Sequence, residues 1–185
     1  MTKLTTAAWV AHELGLAASF GGVLFGKTAL NPNLDTLDSK ADRGKLLNKS
    51  WNRYNVVNAL AVGTSIATWL AGRSTISGRY ALSEETNNMV RAKDALLATS
   101  AVTGLASMLS GLSLTRQAPD GAVPLDSGVS PAPEMSDEAA NLLRRVNVLG
   151  NVNIAVLGAT IAVSTILSMR ATESLRFSIA SRLLP

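Results

Sequence analysis

The 185-residue sequence has no cysteine and a single histidine, His12. These absences exclude a disulfide framework, a cysteine-ligated zinc or iron–sulfur centre, and thiol chemistry. A haem held by two histidines of this chain is excluded as well. Aromatic residues make up 4% and charged residues 16%, the latter well under the roughly 25% of an ordinary soluble domain. A net charge of +4 with so few aromatics gives no footprint for nucleic acid. What is abundant is apolar: 47% of the chain, too much for a disordered polymer.

The charges are absent in blocks. Nineteen uncharged residues separate Arg53 from Arg73, 21 separate Asp94 from Arg116, and 24 separate Arg145 from Arg170. A further 23 lie between Lys3 and Lys27, broken only by His12 and Glu13. Each run reaches the roughly 18–20 residues that carry a helix across a bilayer core. The pattern predicts an all-α, integral membrane four-helix bundle with spans near 5–29, 53–72, 92–114 and 145–169. A soluble Ala-rich bundle is the competing reading, but it requires a charged outer stripe, and Val146 to Met169 has none. Trp51 and Tyr54 stand at one end of the second run and Trp69 at the other, with Trp9 on Trp69's side. Tyr54 and Trp69 are about 22 Å apart at 1.5 Å per residue, the separation of two interfacial belts. The first run is too long for a signal-peptide core and lacks a small-x-small site after it, so it is expected to stay in the protein. The sequon Asn48-Lys49-Ser50 sits at the membrane surface and reads as chance.

Turn and cap signals divide the chain into hairpin 1 (5–72) and hairpin 2 (84–169). Asn31-Pro32-Asn33 marks the first connection, which runs to about Asp38. The second runs from Gly72 to Ser83, and Ser83 before Glu84 and Glu85 reads as a helix N-cap. The third, 117–135, holds Pro119, Pro124, Pro131 and Pro133 and is expected to be polar and extended. Ser136 before Asp137 and Glu138 caps the fourth helix. A tail, 171–185, places Leu175, Ile179 and Leu183 at helical spacing, which suits a membrane surface.

An internal repeat relates the halves. At an offset of 96, Leu46-Leu47 aligns with Leu142-Leu143, Asn55 with Asn151, Val56 with Val152, Ala59 with Ala155 and Thr64 with Thr160. Two hairpins of this kind are expected to be related by a pseudo-two-fold along the membrane normal. Lys and Arg are balanced, eight on the side of the termini and nine opposite. Charge therefore leaves orientation open, and the basic tail favours termini on the cytoplasmic side of a bacterial inner membrane.

Small residues recur every four positions: Ala18, Gly22 and Gly26; Ala59 and Gly63; Thr103, Ser107 and Gly111; Ala155 and Ala159. Such stripes let helices approach closely in lipid. The helix-two and helix-four asparagines need hydrogen-bond partners there. Asn55, Asn151 and the nearby Tyr54 are the candidates for lining a ligand site, with amide glue as the alternative. His12 and Glu13 are the candidate chemical groups, since an ionisable residue inside a span marks function. Residue 16 is Leu, so His12-Glu13 does not open a His-Glu-x-x-His zinc motif, and no metal site is expected. The alternative for Glu13 is a structural ion pair with Arg91 or Lys93.

Gly21-Gly22, Phe25, Asn31-Pro32, Trp51 and Tyr54 together resemble the small bacterial four-helix membrane proteins grouped with anthrone oxygenases, chiefly over the first hairpin. The resemblance implies either cofactor-light oxygenation of a polyketide or a member without a known activity; it carries nothing over to the second half. The leading expectation is a non-enzymatic accessory or scaffold subunit whose partners are the bilayer and other membrane subunits, or a second copy. A small membrane enzyme or quinone binder is the alternative, and a transporter protomer a third. The cofactor, if any, is open.

Overall fold

The structure is a computed structural model that describes the backbone of residues 3–80 and 84–183 and the side chains of 6–73 and 84–170. It contains four long helices: α1 (Lys3–Phe25), α2 (Lys40–Tyr80), α3 (Glu84–Thr115) and α4 (Asp137–Leu183). No strand occurs among the described residues; Leu125 and Pro131 form an isolated bridge. α1 packs mainly on α2 and α3 mainly on α4, and contacts α1–α4 and α2–α3 close the four into a ring.

Local chemistry sets most boundaries. α1 widens into one π turn, Gly26–Leu30, where the Asn31 amide donates to the Gly26 carbonyl at 2.8 Å. Pro32, without an N–H, cannot continue the α pattern and opens a 3₁₀ turn, Pro32–Thr36. The Ser39 hydroxyl accepts from the Asp42 amide and starts α2. Ser136 does the same for the Ala139 amide at the start of α4, as its sequence predicts. The proposed cap at Ser83 and the 171–185 tail side chains lie outside the described residues; the backbone of α4 runs straight through to Leu183.

Three helical segments are long and apolar enough to cross a membrane: Thr6–Thr36, Glu84–Thr115 and Asp137–Arg170. The four expected spans are thus matched by three among the described residues. The α2 run is charge-free but carries Asn55, Asn58, Thr64, Ser65 and Thr68. α2 also continues through Tyr80, where a connection from Gly72 was expected. Within the apolar segments, Ser110, Thr160 and Ser164 are buried and donate to the carbonyls of Ala106, Val156 and Thr160. Back-bonding of this kind removes the cost of a hydroxyl away from water.

The Pro-rich connection is folded, not extended. Val123, Leu125 and Met135 bury against Leu34, Leu47, Leu114, Ala139 and Leu143, sealing one end of the ring. Arg43 clamps it: Nε donates to the Leu37 carbonyl at 2.7 Å and Nη1 to that of Asp126 at 2.8 Å. Asn48 Nδ2 donates to the Gly121 carbonyl, and the Gly128 amide to that of Asn31, each at 2.8 Å. Gly44 is required because a Cβ would collide with the Val123 backbone. Prolines and acids made this segment read as solvated; its four apolar anchors at 123, 125, 132 and 135 decide otherwise.

The packing stripes are only partly the expected ones. On α1, a Cβ at Gly22 or Gly26 would strike the Tyr54 or Trp51 ring, and one at Gly15 would strike Ser65 and the Ala61 carbonyl. The α1 face is therefore Gly15, Ser19, Gly22 and Gly26, while Ala18 is exposed. Ala59, Gly63, Ala155 and Ala159 are also exposed, and nothing lies within 4 Å of a Cβ at Gly63. These four do not join the helices of this chain.

Candidate functional site

Two polar centres lie inside the ring, one toward each end. The first is built by α1, α2 and α3. Trp9 and His12, three residues apart, share a face of α1. α2 contributes Ser65 and Trp69, and α3 contributes Lys93 and Asp94. His12 is 1% exposed and Lys93 0%. His12 Nδ1–H donates to the Ser65 carbonyl at 2.8 Å, which leaves Nε2 as a lone-pair acceptor. That Nε2 and the Lys93 ammonium are buried without hydrogen-bond partners among the described residues. Two indoles surround the ammonium: Nζ is 4.1 Å from the Trp69 ring centroid and 5.4 Å from that of Trp9. Trp9 and Trp69 meet edge to face at 6.5 Å. The Trp69 Nε1–H donates to Asp94 Oδ1 at 2.8 Å, and Asp94 Oδ2 pairs with Arg73 Nη2 at 2.7 Å. Trp69 is 2% exposed, so it turns inward and is no lipid-facing belt residue.

Of the partners expected for Glu13, neither Lys93 nor Arg91 lies within 4 Å of its carboxylate, and its charge acts on Lys93 at longer range. Adjacent helical residues point about 100° apart, and burying His12 turns Glu13 outward to an exposed position. Asp94–Arg73 is the ion pair that forms. A signal for it exists in the sequence: Arg73 closes the charge-free run of α2 and Asp94 opens that of α3, which places them at one level in antiparallel helices.

The second centre lies at the loop-covered end, between all four helices. Its lining includes Lys27 from the π turn, Trp51, Tyr54, Asn55 and Asn58 from α2, Ser107 from α3, and Asn147 and Asn153 from α4. Lys27 Nζ donates to Asn147 Oδ1 at 2.9 Å. Asn147 Nδ2 donates to the Leu143 carbonyl and Asn153 Oδ1 accepts from Thr103. The Tyr54 hydroxyl donates to carbonyls at Ala18 and Ser19, and Trp51 Nε1 to Asn31 Oδ1 at 3.0 Å. The cavity is partly open and its volume is about 50 Å³, room for three or four waters at roughly 10–15 Å³ each. A neighbouring volume of about 40 Å³ shares Asn31, Trp51, Asn55 and Ser107 and reaches Asn48 and Gly128 under the loop.

Asn55 and Tyr54, two of the residues singled out from the sequence, line this cavity. Asn151 does not: it is exposed, and Asn147 and Asn153 occupy the interior of α4 instead. Lys27 was missed because it bounds a run and reads as a surface charge. No group of three or more His, Asp or Glu that could hold a metal occurs among the described residues. No protein-family model, curated protein or solved structure matches this chain.

Proposed function

We propose that this chain is an integral membrane protein of the bacterial inner membrane that acts as an accessory or scaffold subunit, docking through the outer face of α2. One observation carries the reading. Ala59, Gly63, Ala67 and Ala71 run along α2 and are all exposed, and a Cβ at Gly63 would meet open space. Glycine in a helix costs about 1 kcal/mol relative to alanine. Inside this chain nothing offsets that cost, whereas a second helix at close range does so in lipid. Ala155 and Ala159 extend the same character to α4.

In this reading all four helices cross the bilayer. α2 crosses with its polar residues turned to the interior centres, and both termini lie on the cytoplasmic side. The proposed repeat draws support from matched environments at offset 96. Leu47 and Leu143 are buried, as are Ala61 and Leu157, and Val56, Val152, Ala59 and Ala155 are exposed. Thr64 and Thr160 differ, as do Asn55 and Asn151, so the register drifts along the helices. An anthrone-oxygenase-like activity would have to place a polycyclic substrate, and an interior with room for a few waters argues for the scaffold role.

Purification in mild detergent followed by mass measurement tests the proposal. The chain should elute in a particle heavier than its own 19.3 kDa plus detergent, either with itself or with another membrane protein. Gly63→Ile should release it without lowering its own melting temperature. A wild-type chain that is monomeric in both detergent and nanodiscs overturns the reading.

A further inference from the structure

We infer that the cavity between Lys27, Asn55, Ser107 and Asn153 is a binding site for a small monovalent anion, with the Lys27 ammonium as its counter-charge. The inference is independent of docking through α2.

The Lys27 charge, left without a carboxylate beside free donors, points to it. Lys27 gives one N–H to Asn147 and has no carboxylate within 4 Å among the described residues. No carboxylate lines the cavity at all. A cation held among helices in low dielectric is costly without an opposite charge. Three amide oxygens here already accept: Asn147 Oδ1 from Lys27, Asn153 Oδ1 from Thr103 and Asn31 Oδ1 from Trp51. Several donors are free. The Asn55 amide and the Ser107 hydroxyl make no hydrogen bond among the described residues, and Asn153 Nδ2 has no acceptor there. Asn58 Oδ1, which also lines the cavity, is buried without a partner among the described residues, and turning that amide over presents its two N–H donors instead.

A ring of free N–H and O–H groups around one cation, with no competing carboxylate, solvates an anion as water would. Room for three or four waters sets the class: chloride, nitrate or formate, not a nucleotide or a quinone. An adjoining volume of about 40 Å³ extends toward Asn48 and Gly128 under the loop.

The test uses the full chain in nanodiscs, with ionic strength held constant by gluconate, which is too large to enter. Titrating chloride, nitrate or formate should raise the melting temperature saturably, following the logarithm of one plus ligand over Kd. Chloride NMR lines should broaden in the presence of wild-type protein and sharpen again on adding nitrate. Lys27→Met should abolish both effects, and Asn55→Leu or Ser107→Val should weaken binding at least tenfold. A wild-type protein that shows neither a saturable shift nor displaceable broadening, a cavity filled by water only, overturns the inference whether or not the variants fold. Unchanged anion binding in folded Lys27→Met overturns it too.

Discussion

The Lys93 ammonium lies 4.1 Å from the centroid of the Trp69 ring, and the same indole donates its N–H to the carboxylate of Asp94, the next residue in the chain. One side chain of α2 thus serves two neighbouring charges of α3 in different ways, an aromatic face for the cation and a hydrogen bond for the anion. Asp94 completes its balance with Arg73; Lys93, fully buried, has no hydrogen-bond partner among the described residues and lies against the ring faces of Trp69 and Trp9, with the charge of Glu13 acting on it at longer range.

This arrangement sets the sign of a substitution. A desolvated cation–π contact contributes about 2 kcal/mol, while burying an ammonium costs several. Lys93→Met keeps the length of the side chain and removes the charge, so it should stabilise the bundle by about 1–4 kcal/mol. Trp69→Phe, which strands Asp94's hydrogen bond, should destabilise it by about 1.5–3 kcal/mol. Thermal melts in one detergent compare the two, and a lower midpoint for Lys93→Met contradicts the balance.

The folded connection should open at both pH extremes. The Glu134 carboxyl is held below its ordinary value of 4.5 by its own backbone N–H and by the Lys40 ammonium. Its contribution is therefore present above about 4.5 and fades as pH falls through the lower folded value. Lys40 is raised above 10.5 chiefly by its hydrogen bond to Glu134, with Asp126 adding to it, so its contribution is complete below 10.5 and lost as pH climbs past the folded value. Hydrogen exchange of the Leu125 amide, which donates to the Lys40 carbonyl at 3.2 Å, should quicken below pH 4 relative to pH 7 beyond the intrinsic change. Constant protection across that range would show that the apolar anchors hold the segment alone.

Two adjacent glycines should respond oppositely to alanine. Nothing lies within 4 Å of a Cβ on Gly21, whereas one on Gly22 would run into the Tyr54 ring. Gly21→Ala should raise stability by roughly 0.5–1 kcal/mol through helix propensity. Gly22→Ala should lower it by about 1–3 kcal/mol through overpacking. Equal effects would mean that α1 does not press its glycine face on α2.

The native chain lacks cysteine, so single cysteines report topology directly. Exposed positions Asp38 and Gln117 should react with an impermeant thiol reagent from one side of sealed vesicles, and Glu84 from the other. Labelling of all three from one side would mean that α2 and α3 do not cross.

Much of the architecture was legible in residue order. The charge-free runs gave four helices, and Ser39, Pro32 and Ser136 act on their own neighbours, so helix starts and stops follow from local hydrogen bonding. The hairpin pairing follows from the short first connection. The folded state of 117–135 was hidden because its buried residues are few and separated by prolines and acids, and only contact with Leu47, Leu114 and Leu143 makes them a core.

What residue order alone could not determine is how each helix is rotated about its axis. Ala, Gly, Ser and Thr are spread around every helix, leaving no single apolar stripe to name the inner face. Rotation decides the site. It buries His12 and exposes Glu13, turns Asn153 inward and Asn151 outward, and seals Lys93 between indoles while Asp94 reaches Arg73. Those choices are made by the close approach of α1 to α2 at Gly15, Gly22 and Gly26 and by the large rings of Trp51, Tyr54 and Trp69 that fill the space left over. The sequence determined that four long helices with polar interiors would form; packing of rings against glycines determined which polar groups share each interior.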